Sequence, residues 1–299
     1  MENPNALVMY AACDLSAYPQ REVSFYSGKN KLSGYVFEAD EPKGVVIIAH
    51  GFRADYTRHL PEAFTFVDNG YTVLCFDSTA VGESEGMWIS GLQHTARDME
   101  AAVSYVSESV DFAGLPIVLY GHSMGGYAAA CEGDDERVSA IVSINGFDKP
   151  SGILLSYGKK YAGPIVYLEY PFAALYFLCT NAGDVFTSAT DVLKDTQIPV
   201  MIIQAEEDTT VPRNETIYSN LNKLCNGNIL FLWIDDEYRD AHSTVWLNAD
   251  SAKKVLEDEG RHEGYAIPDT FDAAGLKALT DENFLGVIIK FFDGAVKAQ

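Results

Sequence analysis

Ser123 stands in GHSMG (121–125), a Gly-x-Ser-x-Gly pattern set between the apolar run LPIVLYG (115–121) and an alanine-rich segment. A serine hydroxyl is a weak nucleophile at neutral pH. Chemistry at Ser123 therefore needs an imidazole to accept its proton and a carboxylate to hold that imidazole. A serine projected from a sharp strand-to-helix turn has strained backbone angles, and the flanking chain passes close by. Residues without a Cβ are needed on either side, and Gly121 and Gly125 meet that need. The same turn puts the Met124 N–H at a helix start, where unpaired amides and the positive dipole end can meet a developing oxyanion. The second donor of such a site is the Phe52 N–H, in the HGFRAD stretch (50–55) that follows an apolar run. Gly51 lets the chain turn there, and His50 orients the loop.

The acid of such a set follows a late strand and the histidine comes after it. The segments PVMIIQAEEDTTVP (199–212) and LWIDDEYRDAHSTV (232–245) satisfy that order, which selects Asp208 and His242. Glu206 and Glu207 are alternative acids, but Asp208 lies further into the loop, with Pro212 soon after to stiffen it. Asp235, Asp236 and Asp240 read as solvated loop charges. His59, His94 and His262 are accounted for by surface or helix positions, and His122 points the wrong way to be the base of its neighbour.

The elements that must position these residues are strand-like runs rich in Val, Ile, Leu and Tyr: KLSGYVFEA (31–39), GVVIIAH (44–50), YTVLCFD (71–77), LPIVLYG (115–121), VSAIVSI (138–144), PVMIIQA (199–205) and ILFLWID (229–235). Most are too continuous to be half-exposed. Helical patterns such as LPEAFTFVDNG (60–70) and GLQHTARDMEAAVSYVSESV (91–110) separate several of them. Strand-helix alternation of this kind predicts an α/β fold, a mainly parallel sheet covered on both faces. The alternation fails over 149–197, an aromatic, proline-punctuated stretch that reads as an insertion. A charged stretch from 248 to about 280 is expected to be irregular. The amphipathic ENFLGVIIKFFDGAV (282–296) packs as the last helix.

At 299 residues, 47% hydrophobic and 21% charged, the chain is long enough for one large α/β domain with a sizeable core. Its formal net charge of −22 opposes contact with nucleic acid or anionic lipid surfaces and explains a soluble, self-repelling surface. The five cysteines (13, 75, 131, 179 and 225) show no CxxC spacing, so neither a disulfide framework nor a zinc site is expected. The N-terminal segment lacks the basic start and long apolar run of a secretory signal, so a cytoplasmic location is the default. AGPIVYLEYPFAALYFLCT (162–180) is mostly apolar, but Glu169, Pro164 and Pro171 interrupt it; a lid with an apolar underside is expected rather than a stable membrane insertion.

With these residues in hand, the chain resembles the α/β hydrolases, and more narrowly their serine aminopeptidase, monoacylglycerol lipase and feruloyl-esterase-like branch. The likeness runs through IIAHGF, CFDSTAVGESEG, LYGHSMGGYAAA, IIQAEEDTTVP and DAHSTV. It implies an eight-stranded, mostly parallel sheet flanked by helices, with a core of 1–148 and 198–299 and a lid (149–197) inserted after the sixth strand. It implies Ser123, Asp208 and His242 as catalytic triad, an acyl-enzyme intermediate, and a small-molecule ester as substrate, with no cofactor and no metal. Short-chain acyl, monoacylglycerol or hydroxycinnamoyl esters are expected. Tyr161, Tyr167, Tyr170, Phe172, Tyr176 and Phe177 either line an acyl pocket or form the core of the lid. The alternatives are an aminopeptidase using Glu169 to hold an amine, or a non-catalytic binding protein on the same scaffold. One departure is visible: DSTAVGESEG (77–86) lacks the arginine usual in the family, while Asp77, Gly82 and Ser84 remain.

Overall fold

The computed structural model describes residues 14–86, 91–181, 184–259 and 272–297. Eight strands form one sheet: β1 (Gln20–Ser27), β2 (Asn30–Phe37), β3 (Val45–Ala49), β4 (Thr72–Phe76), β5 (Ile117–His122), β6 (Val138–Ile144), β7 (Val200–Ala205) and β8 (Ile229–Ile234). Their order across the sheet is β1-β2-β4-β3-β5-β6-β7-β8. β1 and β2 pair antiparallel, β2 runs antiparallel to β4, and every later pairing is parallel. The parallel strands β3 to β6 are buried along their whole length, as expected where helices cover both faces.

Side-chain alternation divides the core into two layers. Val46 and Ile48 point into one layer, where α1 (Leu60–Asp68) contributes Phe64 and Phe66 and α9 (Glu282–Val296) contributes Ile288 and Phe292. Val45 and Ile47 point into the other, packed on Met99 and Val103 of α2 (Gly91–Glu108), Tyr127 and Ala128 of α3 (Met124–Ala130), and Leu193. Each such aliphatic side chain stabilises the fold by roughly 1.5–3 kcal/mol when fully withdrawn from water.

Seven strands coincide with the apolar runs read from the sequence. The eighth, β1, alternates from Glu22 onward, with Glu22, Ser24 and Tyr26 exposed, Val23 half-buried, and Phe25 and Ser27 buried. QREVSFYS therefore lacks a continuous apolar run, and its sheet partner β2 decides its state.

Between β6 and β7 the chain forms α4 (Pro150–Ala162), a short turn at Gly163–Ile165, α5 (Val166–Asn181) and α6 (Ala189–Leu193). Pro164 falls in the break between α4 and α5, whereas Pro171 sits inside α5. At 16 residues α5 is about 24 Å long, and no helix among the described residues is long and apolar enough to cross a membrane. The stretch expected to be irregular after 248 contains α7 (Ala249–Glu259) and α8 (Ala273–Lys277). Charge hides α7 in the sequence: among its described side chains, Ala252 and Val255 join the core. Cys13 and His262 lie outside the described residues; Cys75, Cys131, Cys179 and Cys225 are free thiols.

Candidate active site

Ser123 lies between β5 and α3 with φ 56° and ψ −114°, a conformation rare for any residue with a side chain. Such a backbone costs about 1–3 kcal/mol and persists only where the surroundings over-determine it. The surroundings here are backbone. A Cβ on Gly121 would stand 2.1 Å from the Gly125 carbonyl oxygen, and one on Gly125 would stand 2.1 Å from that of Ala49 in β3. The Ser123 N–H donates to Ile144 O at the end of β6 (2.8 Å), and its carbonyl accepts from the Tyr127 N–H (2.9 Å). α3 begins at Met124, which places that N–H among the first-turn amides that have no partner within the helix.

The turn after β3 packs against this elbow: a Cβ built on Gly51 would lie 3.2 Å from the Ser123 Cβ. His50 sets the turn. Its Nδ1–H donates to Gly51 O (2.8 Å) and its Nε2 accepts from the Ser78 N–H (3.0 Å). Burial pushes the His50 pKa down to about 4, so the ring is neutral at physiological pH, with the tautomer these two bonds require. Phe52 follows, 46% exposed, with the Arg53 guanidinium 5.6 Å from its ring.

Asp208 and His242 meet across the loops that follow β7 and β8. His242 Nδ1 donates to Asp208 Oδ2 at 2.8 Å, with side-chain exposures of 11% and 2%. The other carboxylate oxygen of Asp208 accepts the Thr210 and Val211 N–H groups at 2.9 and 3.0 Å. Glu206 and Glu207 are exposed. The Glu207 N–H joins the two loops by donating to Asp240 O (2.8 Å). Asp235 and Asp236 are exposed as well, Asp236 pairing with Arg239 at 3.1 Å.

Several contributors escape a reading of the sequence. His122 is buried, and its Nε2 lies 2.8 Å from the His242 carbonyl oxygen, while Asn145 Nδ2 reaches the same oxygen at 2.9 Å. The imidazoles of His122 and His242 are 4.8 Å apart. His59 belongs to no surface: it is fully buried, hydrogen-bonded to the equally buried Glu62 (2.7 Å), and its ring contacts His122 and Trp246. A pairing that crosses from residue 122 or 145 to 242 leaves no local pattern. The His59–Glu62 pair at i,i+3 does have helical spacing, and that was the available signal. Where the resembled family usually carries an arginine, the described neighbours that act on Asp77 are Tyr56, Asp55 and Glu83, none of them a cation. Burial raises the Asp77 pKa to about 7 despite the Tyr56 N–H at 2.9 Å. Ser84 closes this loop by donating to Asp77 O and accepting from the Ser33 N–H.

Comparison with known proteins agrees with this architecture. Residues 40–149 match the family described as serine aminopeptidase, S33. The quorum-quenching protein AidA of Acinetobacter baumannii is 28% identical over 128 residues, 41% of this chain and 42% of that protein. A monoacylglycerol lipase of Mycolicibacterium smegmatis is 30% identical over 127 residues, 40% of this chain and 45% of that protein. The matched stretch thus spans less than half the length of these curated relatives. The fold extends much further. The Pyrococcus furiosus esterase Pf2001 superposes with a TM-score of 0.63 at 17% identity, covering 99% of this chain and 100% of that one. By its sheet order and this superposition, the chain has the fold of the α/β hydrolases.

Proposed function

We propose that the chain is a serine hydrolase that cleaves small or medium carboxylic esters, of short-chain acyl, monoacylglycerol or hydroxycinnamoyl type. The observation that carries this reading is a serine held at φ 56° on a strand-to-helix elbow, together with a His242–Asp208 pair 2.8 Å apart on neighbouring loops. The names of an esterase and a monoacylglycerol lipase among the similar proteins accord with it.

In this scheme Asp208 holds the proton on Nδ1 of His242, leaving a lone pair on Nε2. His242 takes the Ser123 proton as Oγ attacks the acyl carbonyl, and the Phe52 and Met124 N–H groups receive the oxyanion. The tetrahedral intermediate collapses as His242 returns that proton to the departing alcohol, leaving an acyl-enzyme. Water attacks the acyl carbon while His242 removes its proton. The second collapse expels Ser123 Oγ, which takes the proton back, and the carboxylic acid leaves. The segment 149–197 serves as a lid over a single domain whose core is 1–148 and 198–299. Tyr161, Tyr167, Phe172 and Tyr176 are exposed, so acyl selection belongs to the lid's inner side; the Phe177 side chain lies outside the described residues.

An aminopeptidase reading draws on the description of the matching family. It requires a carboxylate facing the substrate amine, and Glu169, its candidate, is exposed in the first turn of α5. The ester reading is therefore preferred, and a silent scaffold is disfavoured because all three triad positions are occupied.

The test is turnover of a series of p-nitrophenyl esters by the purified chain. Ser123→Ala is expected to lower kcat/KM by about 10⁴-fold or more while far-UV circular dichroism is unchanged. Wild-type activity in that variant would eliminate the scheme. Strong preference for long triglycerides, or turnover of aminoacyl anilides in place of esters, would move the substrate class.

A further inference from the structure

The hydrogen bond to Asp208 fixes one atom of the His242 ring and leaves the backbone that carries the ring to be held by something else. That backbone carbonyl is held twice. His122 Nε2, from the end of β5, stands 2.8 Å from it, and Asn145 Nδ2, just past β6, stands 2.9 Å from it. A carbonyl oxygen has two lone pairs, and here both find donors from within the protein. Asn145 is fully buried and sits at φ 50°, a left-handed conformation that asparagine tolerates better than most residues. Its side-chain oxygen accepts the Ala205 N–H (2.8 Å) at the end of β7, and its own N–H donates to Ile203 O (2.8 Å). The residue before it, Ile144, accepts the Ser123 N–H. The partners also fix the chemistry of both donors. Ala205 N–H can face only the amide oxygen of Asn145, which turns the NH₂ group toward His242. Burial, followed by the neighbouring His242, His59 and Arg58 charges, holds the His122 pKa well below the usual range, so its ring is neutral and carries its proton on Nε2.

We propose that His122 and Asn145 are positioning residues that jointly clamp the backbone carbonyl of His242, and that Asn145 ties this clamp to the strand ends leading to Ser123 and Asp208. The inference rests on the triad reading above. Neither residue touches substrate. Both act by removing the freedom of the His242 ring to pivot about its single bond to Asp208. A misplacement on the order of 1 Å at a catalytic group costs about a hundredfold in rate.

The test compares His122→Phe, which keeps a flat ring against Trp246 and loses the donor, with His122→Gln, which restores an N–H at similar reach. Asn145→Asp turns a carboxylate oxygen on the carbonyl. With p-nitrophenyl acetate and the full chain, His122→Phe and Asn145→Asp are expected to lower kcat about tenfold or more with KM within about threefold, and His122→Gln to stay within about threefold of wild type. The His122→Phe, Asn145→Asp double variant is expected to lose less than the product of the two single losses, since both donors serve one oxygen. Amide hydrogen exchange is read on the same proteins. Residues 239–245 are expected to exchange about tenfold faster in His122→Phe, while β3, β5 and β6 keep their protection.

Wild-type kcat together with unchanged exchange in His122→Phe would overturn the clamp, as would equal losses in the Phe and Gln variants. If Asn145→Asp fails to fold, the Phe and Gln pair decides. If the wild-type chain neither turns over esters nor reacts with a fluorophosphonate, the serine reading falls, and the exchange of residues 239–245 alone decides the clamp.

Discussion

Gly125 has no side chain because the Ala49 carbonyl oxygen occupies the space one would fill. A methyl group there would push backbone against backbone, and no rotamer change could relieve it. Gly125→Ala is expected to cost roughly 3 kcal/mol of stability and to abolish fluorophosphonate labelling of Ser123. Gly286, on α9, is the internal control: a Cβ there meets nothing within 4 Å. Gly286→Ala is expected to raise stability by up to about 1 kcal/mol through helix propensity. Thermal unfolding of the two variants makes the comparison, and equal melting temperatures would refute the steric argument. At this scale the sequence was informative wherever chemistry demands a residue type. Ser123, Asp208 and His242 stand out because each sits just past a strand end in the expected order. Asn145 does not stand out, because an asparagine after an apolar strand looks like an ordinary turn residue until its two partners come from residues 205 and 242.

The helices between β6 and β7 differ physically from the rest of the molecule. α5 is apolar on all sides, and Leu168, Phe172, Leu175 and Leu178 are each more than half exposed. Truncating such a side chain removes little buried area, so Phe172→Ser is expected to change stability by no more than about 0.5 kcal/mol. Leu119→Ala, in fully buried β5, is expected to cost about 2–5 kcal/mol. Urea unfolding of the two variants tests this; a loss of several kcal/mol in Phe172→Ser would mean that α5 is packed as core. Parallel strands were legible as elements because burial on both faces leaves an unbroken apolar run. β1 was not, since only alternate residues face the core. α7 was obscured because Ala252 and Val255, which join the core, are small aliphatic residues among charges.

Over the whole molecule, net charge and buried acids act together. Burial raises Asp77 to about 7 and Glu132 to about 8. The folded state thus retains protons that carboxylates of an unfolded chain release near pH 4, and this term lowers stability as pH rises from about 4 to 8. His50, pushed down to about 4, and His122 work in the opposite direction, since the unfolded chain protonates its histidines near 6.5 while the folded one does not. Above about pH 6.5 the histidine terms vanish and the acid terms remain. Stability from denaturant unfolding is expected to fall between pH 6.5 and 8, by at most about 1.4 kcal/mol per pH unit for each acid. Asp77→Asn and Glu132→Gln are expected to flatten the slope. Added salt is expected to raise the curve by screening the charge of −22. A flat profile in the wild-type chain would show that neither acid keeps its proton. The charge was countable from composition, but which acids are buried depends on packing between segments far apart in sequence.

The elbow that carries Ser123 is held from three sides: Ala49 at the end of β3 and Gly121 in β5 lie against Gly125, and Ile144 at the end of β6 accepts the Ser123 N–H. No one of these segments could impose that geometry alone. Under the proposed function, the reactivity of the Ser123 hydroxyl would therefore belong to the assembled sheet rather than to the pentapeptide containing it. An active-site titrant added during refolding would count finished molecules, while collapsed chains with the same residues would remain invisible to it.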